Sequence, residues 1–168
     1  TVEYRHDDVV LEAFMAWEDS ADPRPGVLVS HTWAGRGEFE EGKACQLAEL
    51  GYVGFALDLY GKGVRGKTPE ENRALMQPLL DDRELLQARM TKALDQLRKQ
   101  KEVDGSRVAA MGFCFGGLCV LDLARTGADI CGVASFHGLF SQPGNTAGND
   151  VKAKVLVMHG WDDPMAKP

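Results

Sequence analysis

Short runs of apolar residues alternate along this chain with longer stretches in which apolar residues recur every three or four positions. The short runs predict strands buried in a sheet, and the longer stretches predict amphipathic helices. Strands are expected at Val9 to Trp17, Val27 to Ser30, Val53 to Leu57, Arg107 to Met111, Cys131 to Phe136 and Lys154 to His159, and residues around Tyr4 are expected to pair with the first of them. Such alternation is typical of α/β proteins with a mostly parallel sheet.

Three segments carry the helical pattern. Phe39 to Leu50 is followed by Gly51, the residue type that most often ends a helix. Asp82 to Lys101 places apolar residues along one face, and either Asp81 or Asp82 can cap its start. Phe115 to Arg125 directly follows a predicted strand. The Gly- and Asn-rich segment Gln142 to Asp150 is expected to be a surface loop.

Length and charge narrow the range of functions. The 168 residues are enough for one domain, which we expect to span 1–168. A net charge of −6 without a basic face argues against a nucleic-acid partner. No apolar run is long enough to cross a membrane, and the polar opening Thr1 to Asp8 does not resemble a signal peptide. Four cysteines without a CxxC pair predict neither disulfides nor a zinc site, so a cytoplasmic location is expected.

The segment 112–117, GFCFGG, matches the nucleophile-elbow pattern G-x-S-x-G with Cys114 in the serine position. A sharp turn from strand to helix holds the central side chain out at the carboxyl edge of the sheet, over a helix N-terminus that favours the thiolate. Most free cysteines are small buried hydrophobes, which is the competing interpretation. The strand before Cys114 and the helix after it favour the nucleophile, whereas the other three cysteines lack such a context.

A nucleophile of this kind needs an acid, a histidine and an oxyanion site. The acid should follow a strand downstream of the nucleophile. Asp163 fits that spacing better than Asp162, although an aspartate that caps a turn before Pro164 is the alternative. The oxyanion donors should be the N–H of Phe115 and an N–H of the loop after the strand Val27 to Val29, for which we select Trp33.

Five motifs together resemble the dienelactone hydrolase family over nearly the whole chain: HTWAG at 31–35, DLYGKG at 58–63, GFCFGG at 112–117, SFHG at 135–138 and HGWDDP at 159–164. The resemblance implies an α/β-hydrolase fold with helices on both faces of the sheet. It also implies a cofactor-free hydrolase of small-molecule esters or lactones, with no metal, monomeric or homodimeric.

The same resemblance assigns roles to individual positions. It implies that Cys114 is the nucleophile and Asp163 the acid of a Cys–His–Asp triad. Trp33 and Phe115 would supply the oxyanion amides, and Arg73 lies in about the stretch where the family places an arginine that holds a substrate carboxylate.

The chain departs from the family pattern in two places. Many members carry a glutamate where this chain has Thr32, which makes dienelactone itself doubtful as the substrate. The triad histidine is also not found, because His6, His31, His137 and His159 all precede the position expected for it. We therefore expect the histidine beyond Pro168 in a longer chain, and we interpret His31 and His137 as structural or pocket-lining residues.

Three functions are compatible with these features. The first is hydrolysis of an ester or lactone through a Cys114 thioester. The second is a noncatalytic binding module on a hydrolase scaffold, which Thr32 and the missing histidine would both suit. The third is a redox-sensing thiol protein, because an exposed cysteine of low pKa is also readily oxidised.

Overall fold

The structure is a computed structural model that describes residues 1–165. Its strands are β1 (Val2–His6), β2 (Val9–Ala16), β3 (Arg24–Ser30), β4 (Val53–Ala56), β5 (Val103–Phe113), β6 (Gly132–Phe136) and β7 (Lys154–Met158). Its helices are α1 (Glu38–Glu49), α2 (Pro69–Asp81), α3 (Arg83–Arg98) and α4 (Phe115–Arg125). None of the helices within residues 1–165 is long and apolar enough to cross a membrane.

The strands form one sheet in the order β1-β2-β4-β3-β5-β6-β7. β1 and β2 pair antiparallel with each other, and β2 pairs antiparallel with β4, whereas β4, β3, β5, β6 and β7 are mutually parallel. The carboxyl ends of the parallel strands therefore meet at one edge of the sheet, which is where ligands bind in such folds. β3 and β5 lie side by side at the centre, with Ser30 opposite Gly112.

Alternate residues of the central strands face opposite sides of the sheet. Leu28 and Phe55 belong to the large apolar cluster formed with α3 and α4. Their chain neighbours Val29 and Ala56 belong to a smaller cluster with Ala44 of α1. Helices thus cover both faces, and the predicted fold class, a mostly parallel α/β-hydrolase sheet, is confirmed.

The hydrophobic pattern did not predict α2. The helix buries only Asn72 and Leu79, so it has no apolar stripe of the usual width. Its start nevertheless carries two local indications, since Thr68 caps the helix by accepting a hydrogen bond from the Glu71 N–H at 3.3 Å and Pro69 occupies the first turn. Capping residues would have revealed this helix where hydrophobic periodicity could not.

β5 begins earlier than predicted. Asp104 and Gly105, residue types that favour turns, lie within β5. The pairing with β3 shifts there, because Pro25 lies opposite Asp104 and the next residue, Gly26, lies opposite Val108. The turn-forming residues therefore occupy an irregularity inside the strand.

Candidate active site

Cys114 has the strained backbone expected at a nucleophile elbow. It lies between β5 and α4 with φ 58° and ψ −118°, in a region that residues other than glycine rarely adopt. Its N–H donates to the Phe136 carbonyl at 2.9 Å, which fixes the turn against the end of β6. The side chain is half-buried. Such strain persists only where surrounding contacts enforce it, and it is concentrated at functional sites.

Glycines around Cys114 are required by close backbone contacts. A Cβ atom at Gly112 would lie 2.1 Å from the Gly116 carbonyl oxygen. A Cβ atom at Gly116 would lie 2.3 Å from the Ser30 carbonyl oxygen and 2.7 Å from that of His31. The first turn of α4 therefore touches the end of β3, where the loop that carries Trp33 begins.

A buried carboxylate organises that loop. Glu40 on α1 is only 2% exposed, and its two carboxylate oxygens accept hydrogen bonds from the N–H groups of Thr32 (3.1 Å) and Gly37 (2.9 Å). Both ends of the loop are thereby tied to one side chain. Sequence reasoning missed Glu40, although a glutamate three residues after a helix N-cap is a recognised capping pattern.

Tyr60 holds the residue selected as oxyanion donor. Its hydroxyl donates to the Trp33 carbonyl at 3.0 Å, and its ring stacks on Phe115 with centroids 6.2 Å apart. Burial, together with the nearby thiols of Cys119 and Cys114, raises the pKa of Tyr60, so its hydroxyl remains a donor. The side chain therefore connects the two residues expected to supply the oxyanion amides.

His31 is fully buried at the base of the same loop. Its Nδ1 lies 2.6 Å from the Thr32 carbonyl oxygen, and its Nε2 accepts a hydrogen bond from the Leu59 N–H at 3.2 Å. Burial lowers the pKa of His31, so the ring is neutral near pH 7. With both nitrogens engaged, the side chain has no free position from which to act as a base.

The amides of Trp33 and Phe115 differ from their neighbours in this network. Within residues 1–165, neither amide donates to a backbone or side-chain acceptor, whereas the N–H groups of Thr32 and Gly35 both do. Uncommitted N–H groups are what an oxyanion site requires.

Asp163 lies in the turn that follows β7. Its Oδ1 accepts a hydrogen bond from the Met165 N–H at 2.8 Å, the local capping contact considered as an alternative to the catalytic role. Its Oδ2 lies 3.2 Å from Nε2 of His159, close enough for an ion pair when the imidazole is protonated, although the contact lacks hydrogen-bond geometry. Asp163 is thus a histidine-associated carboxylate at the expected end of the sheet.

The remaining two candidates lie at the surface. Arg73 is exposed on α2, in a shallow depression lined also by Pro69, Glu70, Ala74 and Gln77. His137 is exposed directly after β6, has φ 43°, and donates its N–H to the Met158 carbonyl at 2.8 Å. The role of Arg73 in substrate binding stays a prediction.

A mostly parallel sheet flanked by helices, with a strained residue between a central strand and a helix, is typical of the α/β-hydrolase class. The dienelactone hydrolase family model matches residues 11–167, so the chain belongs to the dienelactone hydrolase family.

Solved structures agree with this assignment. The structure of m3DLH is 36% identical, with a TM-score of 0.93 over 99% of this chain and 70% of that one. A dienelactone hydrolase-like promiscuous phosphotriesterase, P91, from metagenomic libraries is 37% identical, with the same TM-score and coverage. Among curated proteins, the uncharacterized protein K02A2.1 of Caenorhabditis elegans is 48% identical over 54 residues, which span 32% of this chain and 34% of that protein.

Proposed function

We propose that this protein hydrolyses a carboxylic ester or lactone through a thioester on Cys114. The observation that carries the proposal is the backbone of Cys114, a non-glycine residue with φ 58° at the start of α4. Nothing in the packing of an ordinary buried cysteine requires that strain, whereas a nucleophile held over a helix N-terminus does. The family assignment supports a hydrolase independently of this geometry.

The proposed reaction begins when the Cys114 thiolate attacks the carbonyl carbon. A carbon–sulfur bond forms, and the carbonyl π electrons move to oxygen, where the N–H groups of Trp33 and Phe115 stabilise the negative charge. Collapse of this intermediate breaks the ester C–O bond, and the alkoxide takes a proton as it leaves. Water then attacks the thioester, releasing the carboxylic acid and the thiol.

Asp163 is the acid of the proposed triad. A carboxylate in this role orients a histidine and stabilises its imidazolium form, and does not itself remove the thiol proton. Its placement after β7 supports this role, and the proposal requires a histidine other than the buried His31 to complete the triad.

Phosphotriester cleavage is a second candidate activity. It is favoured by the 37% identity to P91, which is a promiscuous phosphotriesterase. The same thiolate could attack phosphorus, and the same amides could stabilise charge on a phosphoryl oxygen. A p-nitrophenyl phosphotriester, assayed beside a p-nitrophenyl carboxylic ester, would distinguish the two activities.

Intact-mass measurement after mixing with p-nitrophenyl acetate tests the proposal. The protein should gain one acetyl group that hydroxylamine removes, and prior treatment with iodoacetamide should prevent the gain. Cys114→Ala should abolish acetylation at this site, whereas Cys119→Ala, which changes a fully buried thiol five residues away, should preserve it. Acetylation that persists in Cys114→Ala and is absent from Cys119→Ala would refute the assignment.

A further inference from the structure

His31 contacts the carbonyl oxygen of Thr32, which belongs to the peptide group between Thr32 and Trp33. The distance from His31 Nδ1 to that oxygen is 2.6 Å. In a trans peptide the C=O and N–H bonds lie in one plane and point in opposite directions. Any group that fixes the Thr32 carbonyl therefore fixes the direction of the Trp33 N–H, the proposed oxyanion donor.

The tautomer of His31 follows from its second contact. Nε2 lies 3.2 Å from the backbone nitrogen of Leu59, which can only donate. Nε2 is therefore the acceptor, and the ring proton is on Nδ1, where it is donated to the Thr32 carbonyl. The Leu59 N–H and the edge-on ring of Tyr60, with centroids 4.6 Å apart, hold the imidazole in this orientation.

We infer that His31 is a positioning residue for the oxyanion site, aiming and polarising the Trp33 N–H through the Thr32 carbonyl; the inference rests on the proposed function. A hydrogen bond accepted by the carbonyl of an amide strengthens the N–H of the same amide as a donor. His31 contacts neither substrate nor sulfur in this role.

Two substitutions of His31 test the contacts of its two ring nitrogens one at a time. In His31→Asn, the side-chain NH₂ lies at about the place of Nδ1 and can still donate to the Thr32 carbonyl. In His31→Gln, the amide reaches the place of Nε2 and can accept from the Leu59 N–H. The Thr32 carbonyl then loses its side-chain donor and keeps only the longer hydrogen bond from the Gly35 N–H (3.3 Å). The asparagine variant therefore preserves the contact that matters, and the glutamine variant removes it.

Acylation and alkylation rates provide the test. Acylation of Cys114 by p-nitrophenyl acetate forms an oxyanion, whereas displacement of iodide from iodoacetamide by the same thiolate does not. His31→Gln should slow acylation by about 10- to 100-fold, somewhat less than the loss of a whole oxyanion donor, and should leave alkylation unchanged. His31→Asn should acylate at a rate close to that of the unsubstituted chain.

The outcomes are distinguishable. Equal acylation in His31→Gln and the unsubstituted chain overturns the inference, as does a parallel loss of acylation and alkylation, which would indicate damage to the thiol itself. Failure of the unsubstituted chain to acylate at Cys114 overturns the proposed function first. A ¹⁵N NMR spectrum of the His31 ring needs no substitution: protonation at Nδ1 is expected, and protonation at Nε2 would refute the inference even if the glutamine variant does not fold.

Discussion

At the scale of single residues, Glu40 is only 2% exposed, and its carboxylate depends there on hydrogen bonds from two backbone N–H groups. In Glu40→Gln, one oxygen becomes an NH₂ group that faces an N–H donor. We expect the free energy of unfolding to fall by about 1–3 kcal/mol, the cost of leaving a buried donor unpaired. Urea unfolding measures the change, and acylation of Cys114 should slow because the loop loses its tether.

Glu41→Gln is the matched control for that substitution. Glu41 is the next residue on α1, and its carboxylate pairs with Arg36 while a third of the side chain remains exposed. Partly exposed ion pairs of this kind contribute about 0–1 kcal/mol, so this variant should be nearly as stable as the unsubstituted chain. Equal stability of the two variants would show that Glu40 is not a structural centre of the loop.

The burial of His31 leads us to expect that the free energy of unfolding depends on pH. Burial lowers the pKa of His31 in the folded protein, as does Arg36, while the hydrogen bond to the Thr32 carbonyl and the charges of Asp58 and Glu40 act in the opposite direction. The unfolded chain, with an ordinary histidine pKa of about 6.5, binds the proton more readily. The contribution of neutral His31 to the free energy of unfolding is therefore fully present above about pH 6.5. It is lost as the pH falls below that value, by at most about 1.4 kcal/mol per pH unit.

Urea unfolding of the unsubstituted chain and of His31→Asn, from about pH 8 to about pH 5, measures this contribution. The stability of the unsubstituted chain should decline more steeply below about pH 6.5, because asparagine does not titrate. Parallel curves for the two proteins would mean that His31 is not kept neutral by the fold.

At the scale of elements, the packing of α4 against the end of β3 depends on a glycine. In Gly116→Ala, the new methyl group would lie 2.3 Å from the Ser30 carbonyl oxygen. The methyl group is attached directly to the backbone of α4, and the oxygen belongs to the backbone of β3. Overpacking of a tight contact costs about 1–3 kcal/mol, and we expect a loss at the upper end of that range because neither backbone can rotate away. Thermal and urea unfolding give the magnitude.

Gly42→Ala is the control at this scale. Gly42 lies inside α1, and a Cβ atom there meets no atom within 4 Å. Replacing a glycine inside a helix by alanine should stabilise the protein by about 0.5–1 kcal/mol. If Gly116→Ala were as stable as Gly42→Ala, the contact between the elbow and β3 would be looser than the structure shows.

At the scale of the whole molecule, the positions of the histidines predict a burst of acylation without efficient turnover in the 168-residue chain. His31 has both nitrogens engaged, and none of the hydrogen bonds or ion pairs of the histidine side chains within residues 1–165 involves Cys114. General acid–base catalysis contributes about 10²- to 10⁴-fold, so thioester hydrolysis should be slower than acylation by a factor of that order. Stopped-flow release of p-nitrophenolate should show about one equivalent per chain, followed by a slow phase.

The substitution His137→Ala, at an exposed histidine, is the control for this prediction. Rapid steady-state turnover that His137→Ala abolishes would mean that His137 is the base, and that the triad proposed for Asp163 is wrong. A slow phase unchanged in His137→Ala would agree with the prediction.

Local sequence was sufficient to recognise the elbow, because its pattern lies within five residues. Gly112, Cys114 and Gly116 have the spacing of the pattern, which can be recognised without any distant residue. The close contact that requires a glycine at 116 is made with Ser30 and became visible only in the structure. The periodicity of α3 likewise predicted a helix from Asp82 onward, and the structure places its start at Arg83 with Asp82 as the cap. The family motifs, which are short contiguous segments, were identified in the same way.

Only the tertiary structure determined what holds the loop 31–37, which carries the proposed oxyanion donor Trp33. The contacts from Glu40 to Thr32, from Tyr60 to Trp33 and from His31 to Leu59 join residues that are 8, 27 and 28 positions apart. Such pairs form because β4 and β3 lie side by side and α1 packs across them, an arrangement that hydrophobic periodicity does not encode. A pattern of apolar residues specifies which face of an element is buried, whereas the partner of a buried polar group depends on which strands become neighbours.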